Sequence, residues 1–110
     1  MGPLVKGDVV VLPFPFDDHS QTKRRPALVI AAPPGLSPIV AQITSQIVSD
    51  PHAVSLTQSD FASGNLHKDS YIRTSILVTI NSAKVLYRVG TVTPAKMQEV
   101  TARLIQLLTH

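Results

Sequence analysis

The sequence has no cysteine and no tryptophan, and its aromatic residues are two tyrosines and three phenylalanines. Without cysteine, disulfide bonds, thiolate nucleophiles and thiolate metal sites are excluded, as suits a protein of a reducing compartment. The histidines His52, His67 and His110 are scattered, and the sequence has neither a HExxH pattern nor a carboxylate cluster. The sequence therefore predicts neither a metal site nor another cofactor.

Long apolar runs are also absent. No stretch approaches the roughly 18 apolar residues that a membrane-spanning helix needs. The apolar run near the N-terminus is interrupted by Asp8, Pro13 and Pro15, and it lacks the small-residue cleavage site of a secretory signal. We therefore expect a cytoplasmic protein that does not contact the membrane.

Charged residues make up only 15% of the chain, against 44% hydrophobic residues. This balance favours a folded protein over a disordered one. Because 110 residues suffice for one core but not for two comfortable domains, we expect a single domain over residues 1–110. Ten Lys and Arg against seven acids give a net charge of +3, a modest excess that favours phosphate-bearing partners without proving one.

Short β-branched runs separated by turn residues predict a mainly β protein. The predicted strand segments are 9–12, 27–30, 38–43, 54–56, 71–72 with 76–80, and 85–92. Residues 60–68 mix glycine, asparagine and charge, which is typical of a surface loop. Five or six short strands before a terminal helix indicate a strongly bent antiparallel sheet or a partly open barrel, with the helix packed across it.

The C-terminal segment has the period of an amphipathic helix. Thr93 is suited to the N-cap and Pro94 to the first helical position. The apolar positions that recur at helical spacing are Met97, Val100, Leu104, Leu107 and Leu108.

A polar loop between the first two predicted strands carries His19 and the basic cluster Lys23, Arg24 and Arg25. A histidine and basic side chains on a loop held by rigid strands could bind and act on an anion. Because the residue before a proline favours extended geometry, Arg25 is expected at the mouth of the second strand.

Five short motifs follow one another along nearly the whole chain. They are GDVV at 7–10, RRPALVI at 24–30, QITS at 42–45, KDSYIR at 68–73 and GTV at 90–92. Each motif alone is weak, since Gly-Asp before valines and Arg-Pro before a strand occur in unrelated proteins. Together, in this order and spacing, they resemble the MazF/PemK family of bacterial toxin endoribonucleases, which includes Kid.

The resemblance implies a small SH3-like, partly open antiparallel barrel with a helix, of the CcdB/Kid/MazF kind, and a homodimer. It also implies an mRNA interferase that cuts single-stranded RNA at short sequences without a metal. Attack by the 2′-OH would leave a 2′,3′-cyclic phosphate and a 5′-hydroxyl. An acidic antitoxin protein would hold the enzyme inactive.

The resemblance further implies roles for individual residues. Arg25 and Thr44 occupy positions that are regarded as catalytic in the family. His19, Arg73 and Ser75 occupy positions implicated in the PemK/Kid branch, where an aspartate stands at the place of Ser75. A serine hydroxyl has no useful acidity near neutral pH, so either another group takes the proton or activity is reduced.

Such a reaction needs a base for the 2′-OH, an acid for the leaving 5′-oxygen and positive charge near the phosphoryl oxygens. Arg25 and Arg73 suit the last task, because a guanidinium is permanently charged and forks onto phosphate oxygens. His19 is best matched to proton transfer at neutral pH, and Thr44 is expected to bond the scissile phosphate or to orient Arg25. The expected RNA-contacting residues are Lys23, Arg24, Ser45, Gln21 and Phe16.

Each of these assignments has a structural alternative. His19 could be an ordinary surface residue, and Thr44 could satisfy a backbone group at a strand end. Arg73 and Ser75 alternate in a predicted strand and point the same way, so they could form an exposed face. Phe14, Phe16 and Phe61 could stack on unpaired bases or belong to the core.

Two other functions stay open. One is a catalytically silent member that binds only RNA or its antitoxin, because fold alone cannot separate active from silent proteins. The other is a poison of DNA gyrase like CcdB. It ranks lower, because such toxins are recognised by a C-terminal Trp-Gly-Ile, whereas this chain ends Leu-Leu-Thr-His.

Overall fold

The computed structural model describes residues 2–14 and 23–110. Three of the predicted site residues, Phe16, His19 and Gln21, lie outside the described residues. Their assigned roles stay predictions.

Seven strands, one α-helix and two short 3-10 helices make up the regular structure of the described residues. The strands are Asp8–Pro13 (β1), Arg24–Ala31 (β2), Ile39–Thr44 (β3), Ala53–Leu56 (β4), Phe61–Gly64 (β5), Ser70–Thr79 (β6) and Tyr87–Val92 (β7). The 3-10 helices are Gln58–Asp60 and Ser82–Lys84, and the α-helix is Pro94–Leu108 (α1).

All seven strands belong to one sheet in the order β4-β6-β3-β2-β1-β7-β5. Every neighbouring pair is antiparallel, and register shifts interrupt four of the pairings. Such irregularities bend strands and increase their twist, and the sheet curls into a half-barrel with α1 against β4 and β6. The predicted mainly β fold with a C-terminal helix is confirmed.

The chain forms this sheet because its apolar side chains alternate between two faces. On one face, Leu28, Ile43 and Ile72 form a buried cluster with α1. On the other face, Val29 and Val40 belong to a second buried cluster. We call these faces the helix face and the open face.

The helix begins as predicted. The Thr93 side chain accepts a hydrogen bond from the backbone N–H of Lys96, and Pro94 opens the first turn. Of the apolar positions that recur at helical spacing, Met97, Val100 and Leu104 are buried. Leu107 is half-buried, and Leu108 in the last turn is 75% exposed.

The prediction of a surface loop over residues 60–68 was wrong, because β5 lies within it. This strand pairs with β7 at the edge of the sheet, and three of its four residues are exposed. Because its backbone hydrogen bonds with β7 hold it in place, this strand does not depend on an alternating pattern of buried apolar side chains. The other predicted strands differ from the observed ones mainly at their ends; β2, for instance, begins at Arg24 instead of Ala27.

The buried carboxylate of Asp8 links the Gly-Asp motif, at the start of β1, to the Gly-Thr-Val motif in β7. The carboxylate is 1% exposed. Its Oδ2 accepts a bond from the N–H of Val5 at 2.9 Å and pairs with Nη2 of Arg88 at 3.3 Å. Its Oδ1 accepts a bond from the Thr91 hydroxyl at 3.2 Å. Asp8 therefore ties the start of β1 to β7.

Candidate active site

The strand register brings three of the predicted site residues together. In the pairing of β2 with β3, Ala27 lies opposite Gln42 and Leu28 opposite Ala41. Arg25 precedes Ala27 by two residues and Thr44 follows Gln42 by two, so each side chain shares the face of that paired residue. In the pairing of β3 with β6, Gln42 lies opposite Arg73. Residues directly opposite each other share a face of the sheet, so Arg25, Thr44 and Arg73 lie on one face.

That face is the open face. Thr44 and Arg73 are next to Ile43 and Ile72, whose side chains lie on the helix face. Arg25 lies opposite Leu12, which belongs to the second cluster. On β3 the apolar Val40 of the open face is followed by Gln42 and Thr44. The site residues thus occupy the polar end of a face that is apolar elsewhere.

The predicted RNA-contacting residues are distributed around this place. Lys23 is exposed just before β2, and Ser45 is exposed just after Thr44. Arg24 is exposed within β2, but alternation places its side chain on the helix face, opposite to that of Arg25. The structure therefore separates Arg24 from the other basic residues.

The phenylalanine positions favour the core alternative. Phe14 is fully buried in the second cluster, so it does not present its ring to a base. Phe61 is half-buried and packs against the buried cluster of the helix face. Both rings contribute to packing.

Thr44 ends β3 and is half-buried. Its Oγ1 accepts a hydrogen bond from the backbone N–H of Gln46 at 3.2 Å. The structural role anticipated for this threonine is therefore present. A hydroxyl that accepts one bond can still donate its own proton, so this role is compatible with a contact to phosphate.

Arg73 and Ser75 converge on a carboxylate that sequence reasoning missed. Nε and Nη2 of Arg73 each lie 3.5 Å from Oδ2 of Asp50. The Ser75 hydroxyl donates to the same oxygen at 3.2 Å. Oδ1 of Asp50 accepts a bond from the N–H of His52 at 2.9 Å. The side chain of Asp50 is 10% exposed, against 30% for Arg73.

These contacts keep Asp50 ionised. Burial by itself raises the pKa of Asp50, but the bonds from the His52 backbone and the Ser75 hydroxyl and the charge of Arg73 together outweigh it. The pKa of this carboxyl therefore lies below its usual value of 3.8. At neutral pH Asp50 is an anion and a weak base.

An irregularity in β6 shapes this corner. Arg73 and Leu77 pair with the consecutive residues Gln42 and Ala41, so three additional residues of β6 lie between them. One of the three, Ser75, is exposed and contacts Asp50. An open cleft of about 450 Å³ lies beside it and is lined by Gln42, Ser75, Ile76 and Leu77.

Little in the sequence could have revealed Asp50. It precedes Pro51 in the loop between β3 and β4, and Asp-Pro is a turn signal. That signal indicates a turn and gives no partner, and Arg73 lies 23 positions further along the chain. Only the pairing of β6 with β3 and β4 brings the two together.

The chemistry of this arrangement suits a phosphodiester. Two guanidinium side chains and a hydroxyl on one face can donate hydrogen bonds to phosphate oxygens. Among residues 2–14 and 23–110, no group of three or more His, Asp or Glu side chains could hold a metal ion. In the same residues, no helix combines the length and hydropathy needed to cross a bilayer.

Solved structures share this fold. An endoribonuclease from a mycobacterial species, solved in complex with its cognate antitoxin, superposes with a TM-score of 0.76 at 17% identity, covering 96% of this chain and 95% of its own. The Mycobacterium tuberculosis toxin MazF-mt6 gives 0.72 at 17% identity, with coverages of 93% and 96%. MazF from Deinococcus radiodurans gives 0.74 at 23% identity and covers both chains completely. The curled sheet with its terminal helix is thus the fold of these toxins.

The sequence itself settles the family. The family model for the PemK-like, MazF-like toxin of type II toxin-antitoxin systems matches residues 5–108. No curated protein matches the chain. The chain belongs to the PemK-like, MazF-like toxin family.

Proposed function

We propose that the protein is a metal-independent, sequence-specific endoribonuclease, an mRNA interferase that cuts single-stranded RNA in the cytoplasm. The observation that carries this proposal is the placement of Arg25, Thr44 and Arg73 on one polar corner of the open face. Membership of a toxin family and fold likeness to proteins named endoribonucleases support it.

The reaction is a transesterification. The 2′-oxygen attacks the neighbouring phosphorus, its proton passes to a base, and the bond to the 5′-oxygen breaks as that oxygen takes up a proton. The products are a 2′,3′-cyclic phosphate and a 5′-hydroxyl. Arg25 and Arg73 stabilise the charge that grows on the phosphoryl oxygens, and Thr44 donates a hydrogen bond to the same phosphate or orients Arg25.

Proton transfer is assigned to His19, because histidine is the side-chain type best matched to proton transfer at neutral pH. Ser75 cannot replace a carboxylate as base, and its proton already bonds Asp50. The RNA strand would run across the open face past Lys23 and Ser45, and Gln21 and Phe16 are proposed as further RNA contacts. Arg24, on the other face, would be a more distant electrostatic contact.

The proposed protein partners are a second copy of the chain and an acidic antitoxin. One structural neighbour is an endoribonuclease held in complex with its cognate antitoxin. A net charge of +3 favours an acidic segment that orders on binding and covers the RNA site. Co-expression with the neighbouring reading frame tests this, and a toxin that purifies without any acidic partner would contradict it.

A catalytically silent binder is the second candidate, and one observation favours it. Position 75 carries a hydroxyl that is engaged with Asp50, so it supplies no base. The silent protein would bind the same RNA on the same face and leave it intact.

Incubation of the purified protein with a long unstructured RNA in excess EDTA tests the proposal. We expect cuts at one short sequence, ending in cyclic phosphate. Arg25→Ala should abolish them, because the transition state loses a fixed positive charge. Lys84→Ala removes an equal charge from the exposed 3-10 helix Ser82–Lys84 and should cut normally. A folded wild-type protein that leaves the RNA intact would favour the silent binder.

A further inference from the structure

We propose that Asp50 is a positioning residue of this site, and that its carboxylate holds the Arg73 guanidinium in the orientation that meets the phosphate. This inference rests on the proposed function. It adds to the site a residue that contacts no substrate and acts through Arg73.

The carboxylate is surrounded by donors. Its Oδ2 faces Nε and Nη2 of Arg73 and the Ser75 hydroxyl, and its Oδ1 accepts the backbone bond from His52. The contacts with Arg73, at 3.5 Å, are at the long limit for hydrogen bonds. Asp50 therefore orients the guanidinium mainly by charge, and Arg73 keeps donor capacity for a phosphate.

The turn that carries Asp50 is itself fixed from three sides. The N–H of Ala53 donates to the Asp50 carbonyl at 3.1 Å. The Thr74 hydroxyl, fully buried, donates to the His52 carbonyl at 2.7 Å. Arg103 of α1 donates to the Pro51 carbonyl. A carboxylate on a turn tied to β6 and to α1 is preorganised, as a positioning residue must be.

The same contacts argue against Asp50 as the base. Both of its oxygens are engaged, and its pKa lies below the usual value because the donors around it outweigh the effect of burial. Its negative charge also offsets part of the positive charge of Arg73. Removing that charge should therefore leave ground-state binding of RNA unchanged or tighter, while the misplaced guanidinium slows the chemical step.

A carboxylate at position 75 could contact the Arg73 guanidinium in place of that of Asp50. Because Oγ of Ser75 lies 3.2 Å from Oδ2 of Asp50, a carboxylate at position 75 would reach the same guanidinium from the strand. Two carboxylates side by side would repel each other. Ser75→Asp should therefore harm the wild-type site and rescue a site without the Asp50 charge.

The test compares wild type, Asp50→Asn, Ser75→Asp and the double variant by kcat and KM on the RNA. Asparagine keeps an acceptor for the His52 N–H, so the turn can form without the charge. Asp69→Asn is the matched control, since Asp69 is an exposed aspartate outside the proposed site. We expect kcat to fall by about 10- to 100-fold in Asp50→Asn with KM unchanged or lower, as for a displaced catalytic group. The double variant should recover to within about threefold of wild type.

Three kinetic outcomes would overturn the inference. The first is an Asp50→Asn protein that is as active as Asp69→Asn. The second is a loss of activity that appears only in KM. The third is a loss that the double variant does not recover, because a merely structural aspartate would give that result.

A wild-type protein that cuts no RNA would contradict the proposed function. The positioning role of Asp50 can then be tested by NMR, which needs no cleavage. The NMR signal of the Arg73 Nε–H should show an ordered side chain in wild type, a mobile one in Asp50→Asn and an ordered one again in the double variant. An Arg73 side chain that is equally ordered in Asp50→Asn would overturn the positioning role, whether or not the protein is a nuclease.

Discussion

At the scale of the residue, the side chains of the site are distant in sequence and come together only because their strands pair in one particular register. The sequence pointed to Arg25, Thr44, Arg73 and Ser75 through their place in family motifs, and the structure puts them at one end of three adjacent strands. Asp50 could not be found this way, because its partners are set by the pairing of β6 and by the three additional residues in that strand. The roles of His19, Gln21 and Phe16 stay predictions.

The ion pair of Asp50 predicts a pH-dependent stability. Because the pKa of Asp50 is lower in the folded protein than its usual 3.8, its charge stabilises the fold above that value, and this contribution is lost as the pH falls through the folded pKa. Wild type should be more stable than Asp50→Asn at neutral pH, and the difference should vanish under strongly acidic conditions. Urea unfolding across a pH series measures it.

Asp69→Asn controls for the change in net charge in the same pH series. A stability difference between wild type and Asp50→Asn that stays constant from neutral to acidic pH would contradict the ionised pair.

At the scale of the element, pattern and propensity identified the strands whose side chains are buried and missed the strand whose side chains are not. β1, β2 and β3 carry β-branched runs whose side chains alternate between the two buried clusters, so these strands could be recognised in the sequence. β5 is held by its backbone pairing with β7, and its exposed residues resemble those of a loop. The start of α1 was predictable because capping by Thr93 is local chemistry.

The pairing of β5 with β7 depends on two glycines. Gly64 lies opposite Gly90, and a Cβ on either residue would overlap the backbone of the other strand. Gly90→Ala should therefore lower the free energy of unfolding by about 1–3 kcal/mol, as overpacking does. Gly2→Ala, which meets nothing within 4 Å, should leave it unchanged in urea or thermal unfolding. Equal stability of the two variants would show that this edge can shift at little cost.

At the scale of the whole molecule, the two faces of the sheet have different tasks. The helix face packs one buried cluster against α1. The open face carries the second buried cluster, becomes polar along β3 and ends in the cluster of Arg25, Thr44, Arg73, Ser75 and Asp50. Composition predicted a basic, folded chain, and the pattern of short β-branched runs predicted a mainly β one. It could not assign residues to faces, because a single irregularity shifts the register on which such assignments depend.

RNA is expected to bind the polar end of the open face. The most direct measurement is an NMR titration with an RNA of the cleaved sequence that carries 2′-deoxyribose at the cut, so that it binds without being cleaved. We predict that the shifted signals cluster on Arg25, Thr44, Arg73 and Ser75, while signals from the exposed side of α1 stay in place. Shifts concentrated on α1, with these four residues unaffected, would contradict RNA binding at this end of the sheet.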